Sequence, residues 1–204
     1  MRPIRSIFVL LLSFSSLMGC VSPKTFVDPS VPKVSYEDIE RRAEPLRLTL
    51  AVEFQRNGQP FPKVDSQLKD KAERLLRATG LIVPTDEQPV GDIKIIVNNI
   101  GDIGAAAATG FGTGLTFGLV GSTVMDSYEM TISITVNGKT VTRTAIRHAL
   151  YTAIGNATLP PGVEIVPTNV AFDRVIEQML LRGLHDMQKA DELVVSRYSE
   201  LRRL

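Results

Sequence analysis

Few side chains in this 204-residue chain are of a type and spacing that could do chemistry. His148 and His185 are the only histidines, 37 positions apart on what read as different elements. No carboxylates flank them at metal-ligand spacing, so a zinc site is not expected. Asp92 with Asp102, and Asp186 with Asp191, are paired acids of the kind that lie on solvated faces, and no cleft can be inferred around them. No Gly-x-Ser-x-Gly elbow is present. The run Gly110-Phe111-Gly112-Thr113-Gly114 lacks the lysine of a P-loop, and no strand-to-helix context suggests a dinucleotide fingerprint. The expectation is a protein that is not an enzyme and uses no cofactor or metal. That leaves one reactive group, the thiol of Cys20, the single cysteine of the chain.

Cys20 ends a stretch with its own logic. Arg2 and Arg5 make a positive start, residues 7–12 are apolar, and Ser13, Ser15, Ser16 and Gly19 are small. This is the pattern of a secretory signal peptide. The uncharged run over residues 6–19 has 14 residues, short of the roughly 18 that a stable span requires. A lone cysteine cannot close an internal disulfide, so an exported fold must be held by its core. Leu17-Met18-Gly19-Cys20 resembles the lipobox of bacterial lipoproteins. The resemblance implies cleavage before Cys20, a diacylglyceryl group on its sulfur and an acylated amino group, palmitate being typical of such chains. At about 0.8 kcal/mol per buried methylene, two or three chains hold a protein firmly to a leaflet. Val21 and Ser22 follow, where an Asp would imply retention at the inner membrane; the resemblance therefore implies the outer membrane, with the domain facing the periplasm. The competing reading is an ordinary signal peptide followed by a core cysteine.

Charge excludes one large class of partner. Lys plus Arg number 23 against 22 Asp plus Glu, and removing residues 1–19 leaves 21 against 22. A nearly neutral mature domain has no electrostatic footprint for nucleic acid.

Function is expected to sit in residues 103–125, which carry no charge between Asp102 and Asp126. Ala106, Gly110, Gly114, Gly118 and Ser122 recur every fourth residue. On a helix they would form one small-residue face open to close approach. Four is also a multiple of two: even positions from Gly104 to Gly118 are Gly, Ala or Thr, while Phe111, Leu115, Phe117 and Leu119 fall on odd ones. Two such arms meeting near Thr113-Gly114 have the dyad pattern of a membrane hairpin, which several chains would have to share to close a barrel. Gly110, Gly114, Gly118, Phe111, Leu115, Phe117 and Leu119 are therefore the candidate membrane or oligomer contacts. A plain Gly/Ala/Thr loop and a ligand cradle are the other readings.

The elements that would present this insert follow from periodicity. Residues 20–45 hold Pro23, Pro29, Pro32 and Pro45 and read as a lipidated, extended tether, with one short helix over residues 36–43. From Leu46 to Gln55 apolar and polar residues alternate until Asn57-Gly58, which is a strand and a turn. Asp65 or Ser66 begins a helix to about Thr79, with Leu68, Ala72, Leu75 and Leu76 as its stripe and Gly80 as its left-handed end. Ile93, Ile95 and Val97 mark a second strand. Tyr128, Met130, Ile132 and Ile134 mark a third, and Asn137-Gly138 turns it into a fourth. That turn pairs Ile134 with Val141 and Met130 with Ala145, and a parity switch at Ile146 suggests a bulge near Thr144. Thr168 opens a helix to about Lys189 with Phe172, Val175, Ile176, Met179, Leu180, Leu184 and Met187 inward. His148 reads as a half-exposed strand residue. Residues 190–204 form a charged helical tail.

One domain over residues 46–189 is predicted, of α+β class: a two-layer sandwich of a roughly four-stranded, mainly antiparallel sheet with two long helices on one face. Its plan resembles the small anchored α+β lipoproteins of envelope-assembly machines, which implies an adaptor or binding role with an envelope protein partner or self-association. The plan is also similar to lipoprotein secretion channels, in which each chain gives one hairpin to a pore. A periplasmic enzyme is the weaker alternative.

Overall fold

The computed structural model describes residues 23–101 and 122–193. The fold is α+β, with a mixed sheet of seven strands and two long helices. In chain order the strands are β1 (Lys24–Val27), β2 (Leu46–Arg56), β3 (Gln59–Pro60), β4 (Ile82–Pro84), β5 (Gly91–Ile100), β6 (Ser122–Val136) and β7 (Lys139–Ile154). The helices are α1 (Asp65–Thr79) and α2 (Thr168–Lys189). Across the sheet the order is β1-β7-β6-β5-β2-β3, with β4 beside the start of β2.

The sheet is wider and less regular than four antiparallel strands. β2 runs parallel to β5, with Leu50 level with Ile93 and Phe54 with Val97, and parallel to β4 on its other side. Helix α1 supplies the crossover that a parallel pair requires. The remaining pairings are antiparallel. The strand alternation nevertheless resolves as periodicity demands. Leu48, Ile93, Ile95, Val97, Met130 and Ile132 are fully buried on the helix-covered face, each worth roughly 1.5–3 kcal/mol relative to exposure. They meet Leu68, Leu76, Val175, Met179, Leu180 and Leu184 in one core, and Lys71 of α1 reaches Asp173 of α2 at 3.4 Å.

Both helices stop and start where their residues require. Gly80 ends α1 at φ 68°, and its N–H donates to the Arg77 carbonyl. Asp65 does not cap its own helix; its Oδ1 accepts from the Phe54 N–H at 2.7 Å, tying the start of α1 to the end of β2. Gly183 of α2 lies where an added Cβ would sit 2.5 Å from Ile132 Cδ1 and 2.7 Å from Ile146 Cδ1. An alanine there would have to displace both isoleucine tips, and glycine lets α2 approach the hairpin without that shift.

The β6–β7 hairpin turns at Asn137-Gly138, both at positive φ, and Ile134 faces Val141. A register shift lies between Met130 and Ile132, and Met130 pairs with Ile146, not Ala145. Ala145, at φ 56°, is the extra residue. It flips the parity of β7, which turns Ile146, His148 and Leu150 toward the helices. His148 is accordingly 5% exposed, not half-exposed.

The expected tether is also corrected from Lys24 onward. Lys24–Val27 pairs with Leu150–Ala153 at the edge of the sheet, and Thr25 Oγ1 lies 3.0 Å from Thr168 Oγ1 at the start of α2. The following strap is bound to α2. Val34 exchanges two hydrogen bonds with the Gln178 amide, its N–H donating to Oε1 at 2.9 Å and its carbonyl accepting from Nε2 at 3.1 Å. Glu40 does the same with Gln188 at 3.0 and 2.7 Å. Arg182 donates to the Pro32 carbonyl at 2.8 Å. Helical structure in the strap is a single 3-10 turn, Tyr36–Asp38, where Asp38 Oδ2 accepts from both the N–H and the hydroxyl of Ser35.

Candidate functional site

Among the described residues, the two histidines are held apart on different elements, His148 on β7 and His185 on α2. The His148 ring is turned to the core face, Nδ1 accepting from the Ala149 N–H at 2.9 Å. Burial, then the nearby Arg182 guanidinium, holds its pKa below the usual histidine value. A neutral ring fits a packed core. His185 Nδ1 is 3.8 Å from Asp186 Oδ1 on the half-exposed side of α2. Asp92 is exposed on β5, and Asp191 lies just past α2. Among the described residues no group of three His, Cys, Asp or Glu could hold a metal ion, and no helix is long and apolar enough to cross a membrane. Cys20, Asp102, Gly110, Phe111, Gly114, Leu115, Phe117, Gly118 and Leu119 lie outside the described residues.

What the structure does define is the ground from which the insert departs. β5 ends at Ile100, level with Ser127, whereas β6 and β7 run on together from there to the Ser122–Ile154 pair. The last four residues of the predicted insert, Ser122 to Met125, are thus strand. Five residues of two-stranded ribbon at about 3.4 Å each project roughly 17 Å past the end of β5. β1 lies along that projection, Lys24 level with Ala153 and, through it, with Thr123. Val166, Thr25, Thr152 and Val124 form one row across four segments. Met125, Tyr151 and Phe26 form the next, with the Phe26 and Tyr151 rings stacked at 5.5 Å.

This end of the sheet is apolar where the rest of the surface is not. The exposed large hydrophobic residues among those described are Val90, Ile100, Val124, Met125 and Ile165. Val124 and Met125 are on the projecting hairpin, Ile100 closes β5 at its base, and Ile165 precedes the residue that bridges to Thr25. Only Val90 is elsewhere, next to the start of β5. The foot of β5 is clasped by the β2–β3 turn: Asn57 Oδ1 accepts from the Gly101 N–H at 2.9 Å, and Asn98 Oδ1 accepts from the Gly58 N–H at 2.9 Å. Tyr128, just inside, has its hydroxyl pKa pushed up to about 12 by burial and then by Asp126.

The uncovered face of the sheet is polar instead. Ser133 and Thr142 hydroxyls meet at 3.0 Å, as do those of Thr135 and Thr140. Lys94 pairs with Glu53 at 3.1 Å and Arg147 with Glu129 at 2.9 Å. These exposed pairs are worth little individually and describe a hydrated surface. The apolar projecting end was missed from sequence; its signal is the adjacent pair Val124-Met125, which breaks the alternation that resumes at Tyr128.

The site and fold define a class no narrower than a mixed-sheet α+β domain with an apolar, projecting hairpin end. No family model matches the chain, and no curated protein does. Among solved structures, a protein described as a homolog of the neuraminyllactose-binding hemagglutinin from Helicobacter pylori is similar at 10% identity over 84% of this chain and 91% of that one, TM-score 0.32. A PelC dodecamer from Paraburkholderia phytofirmans is similar at 13% identity over 80% and 98%, TM-score 0.29. Scores this low do not define a shared fold.

Proposed function

We propose that this chain is a non-enzymatic lipoprotein of the outer membrane, held by acyl chains on Cys20, which works as an envelope assembly or adaptor component through residues 103–125. The observation that supports the reading is the ground of the insert. Its two ends leave from a projecting hairpin and a clasped strand where Ile100, Val124 and Met125 are exposed, and grouped exposed apolar residues of this kind mark contact surfaces. An uncharged, Gly-rich segment set on such ground fits a contact element better than a catalytic one.

The second reading is a subunit of an oligomeric pore that gives one hairpin per chain. It is favoured by the edge of β6 from Ser122 to Asp126, which has β7 on one side and no strand among the described residues on the other. An open edge of this kind is a template for pairing. One experiment separates the two. Mature protein purified in mild detergent is weighed by mass spectrometry and by light scattering, alongside Cys20→Ser. Acyl chains on Cys20 with a monomer or a heteromeric complex support the adaptor. Acyl chains with a ring of many copies support the pore. An unmodified, freely soluble wild-type protein removes both.

A further inference from the structure

The strands bring the start of β1 and the apolar end of the sheet together. Lys24 begins β1 and is level with Ala153 of β7 and Thr123 of β6. Four residue steps separate it from Cys20, and at no more than about 3.6 Å each they reach at most roughly 14 Å. An acyl chain on Cys20 would thus be tethered within that reach of the strand end that carries Val124 and Met125, 41% and 50% exposed. β1 cannot swing away as a tether would, because it is paired on one side to β7, bridged on the other to Val166, and followed by a strap bonded to α2. Exposed Lys24 stands at this same end, where a cation suits anionic lipid headgroups. The opposite end, with the Asn137-Gly138 turn and Val90, is separated from it by the full length of β6.

We propose that the sheet end formed by Lys24, Ile100, Val124, Met125 and Ile165 lies against the leaflet in which the Cys20 lipid is embedded, with the Asn137-Gly138 end directed away from it. The inference rests on acylation of Cys20. It adds to that reading the face that meets the bilayer: lipid covers the apolar ground, and the partner contact of the proposed adaptor falls to the insert itself.

The chain has no tryptophan, so single substitutions give clean optical reporters. Met125→Trp and Val90→Trp place the probe at two comparably exposed apolar positions on opposite ends, and Ile165→Trp serves as a second reporter on the proposed face. Each mature protein, its acylation confirmed by mass and its fold by an unchanged urea midpoint, is reconstituted in phosphatidylethanolamine and phosphatidylglycerol vesicles with or without brominated acyl chains. The expected result is loss of half or more of the Met125→Trp and Ile165→Trp emission to bromolipid. Val90→Trp should be untouched by bromolipid and quenched by aqueous iodide. Acylated protein in which Met125→Trp and Ile165→Trp ignore bromolipid, or in which Val90→Trp is the quenched site, overturns the proposal while leaving acylation standing. A Met125→Trp shielded from both quenchers, with a dimer mass, assigns the face to a second copy and also overturns it. Absence of acyl chains fails the underlying reading, and the mass alone identifies that case.

Discussion

The strap from Pro32 to Glu40 is the part of the molecule whose attachment is most open to measurement. Gln178 and Gln188 each give one donor and one acceptor to the backbone of a single strap residue. At a net 0.5–1.5 kcal/mol per hydrogen bond, Gln178→Ala removes about 2 kcal/mol from a half-buried pair of bonds. Water replaces the lost partners more fully at Gln188, which lies among exposed strap residues, so Gln188→Ala removes about 1 kcal/mol. These losses belong first to local opening of the strap, since the sheet core does not depend on it. Amide hydrogen exchange read by mass spectrometry over residues 32–40 is the assay. Gln178→Ala should speed exchange of the Val34 and Ser35 amides by about 30-fold, given tenfold per 1.4 kcal/mol, with β5 and β6 unchanged. Gln178→Glu should fall between, because its carboxylate still accepts from the Val34 N–H but cannot donate to the Val34 carbonyl. Unaltered exchange at Val34 in Gln178→Ala would show that the Gln178 bonds are dispensable and that the Arg182 and Gln188 bonds with the apolar contacts of Tyr36 and Ile39 hold the strap. Equal acceleration in β5 would show that strap and sheet open as one unit.

Three further outcomes follow from named positions. Gly91→Ala places a Cβ on the Thr135 carbonyl oxygen and 3.2 Å from Val136 Cα; the paired β6 backbone cannot yield without breaking its register, so urea denaturation should show a loss of about 3 kcal/mol. Ala145→Gly removes an L-residue from φ 56°, relief of roughly 1–2 kcal/mol against a glycine entropy cost of about 0.5–1 kcal/mol, and should raise the urea midpoint slightly where most glycine substitutions lower it. The His148 pKa is lowered in the fold, so the unfolded chain binds its proton first. Its contribution is complete above about pH 6.5 and is lost as pH falls below that value. Stability measured at pH 7.5 and 5.5 should therefore drop more in the wild type than in His148→Gln.

Most of the helix-covered core could be read from the chain because its signals are local. The alternation from Leu46 to Gln55, the stripe Leu68, Ala72, Leu75 and Leu76, the Gly80 terminator and the two Asn-Gly turns each depend on residues within a few positions of one another. The bulge was legible too, since apolar parity changes at Ile146. β1, β3 and β4 were not: they have 4, 2 and 3 residues and exist only because a neighbour supplies hydrogen bonds. Pro23, Pro29 and Pro32 made the first of them read as a spacer, although none of those prolines falls within Lys24–Val27. The parallel alignment of β2 with β5 likewise depends on the crossover through α1, which no pattern within either strand encodes. Of the candidate site, Cys20 and the insert rest on sequence alone. The apolar ground beneath the insert emerged only when Lys24, Val124 and Met125 were aligned by β7. His148 was misplaced because one inserted residue, Ala145, reverses which side of β7 is covered.

The pairing of β1 with Leu150–Ala153 also sets the order in which the polypeptide can mature. The first of the described strands to emerge from a ribosome or a translocation pore is complementary to the last of them, and Val166 and Thr168 complete its surroundings. Until those residues have emerged, this edge of the domain has nothing to close against, whatever the inner strands have achieved. A chain threaded vectorially thus keeps β1 unpaired until β7 and the start of the last helix have followed it.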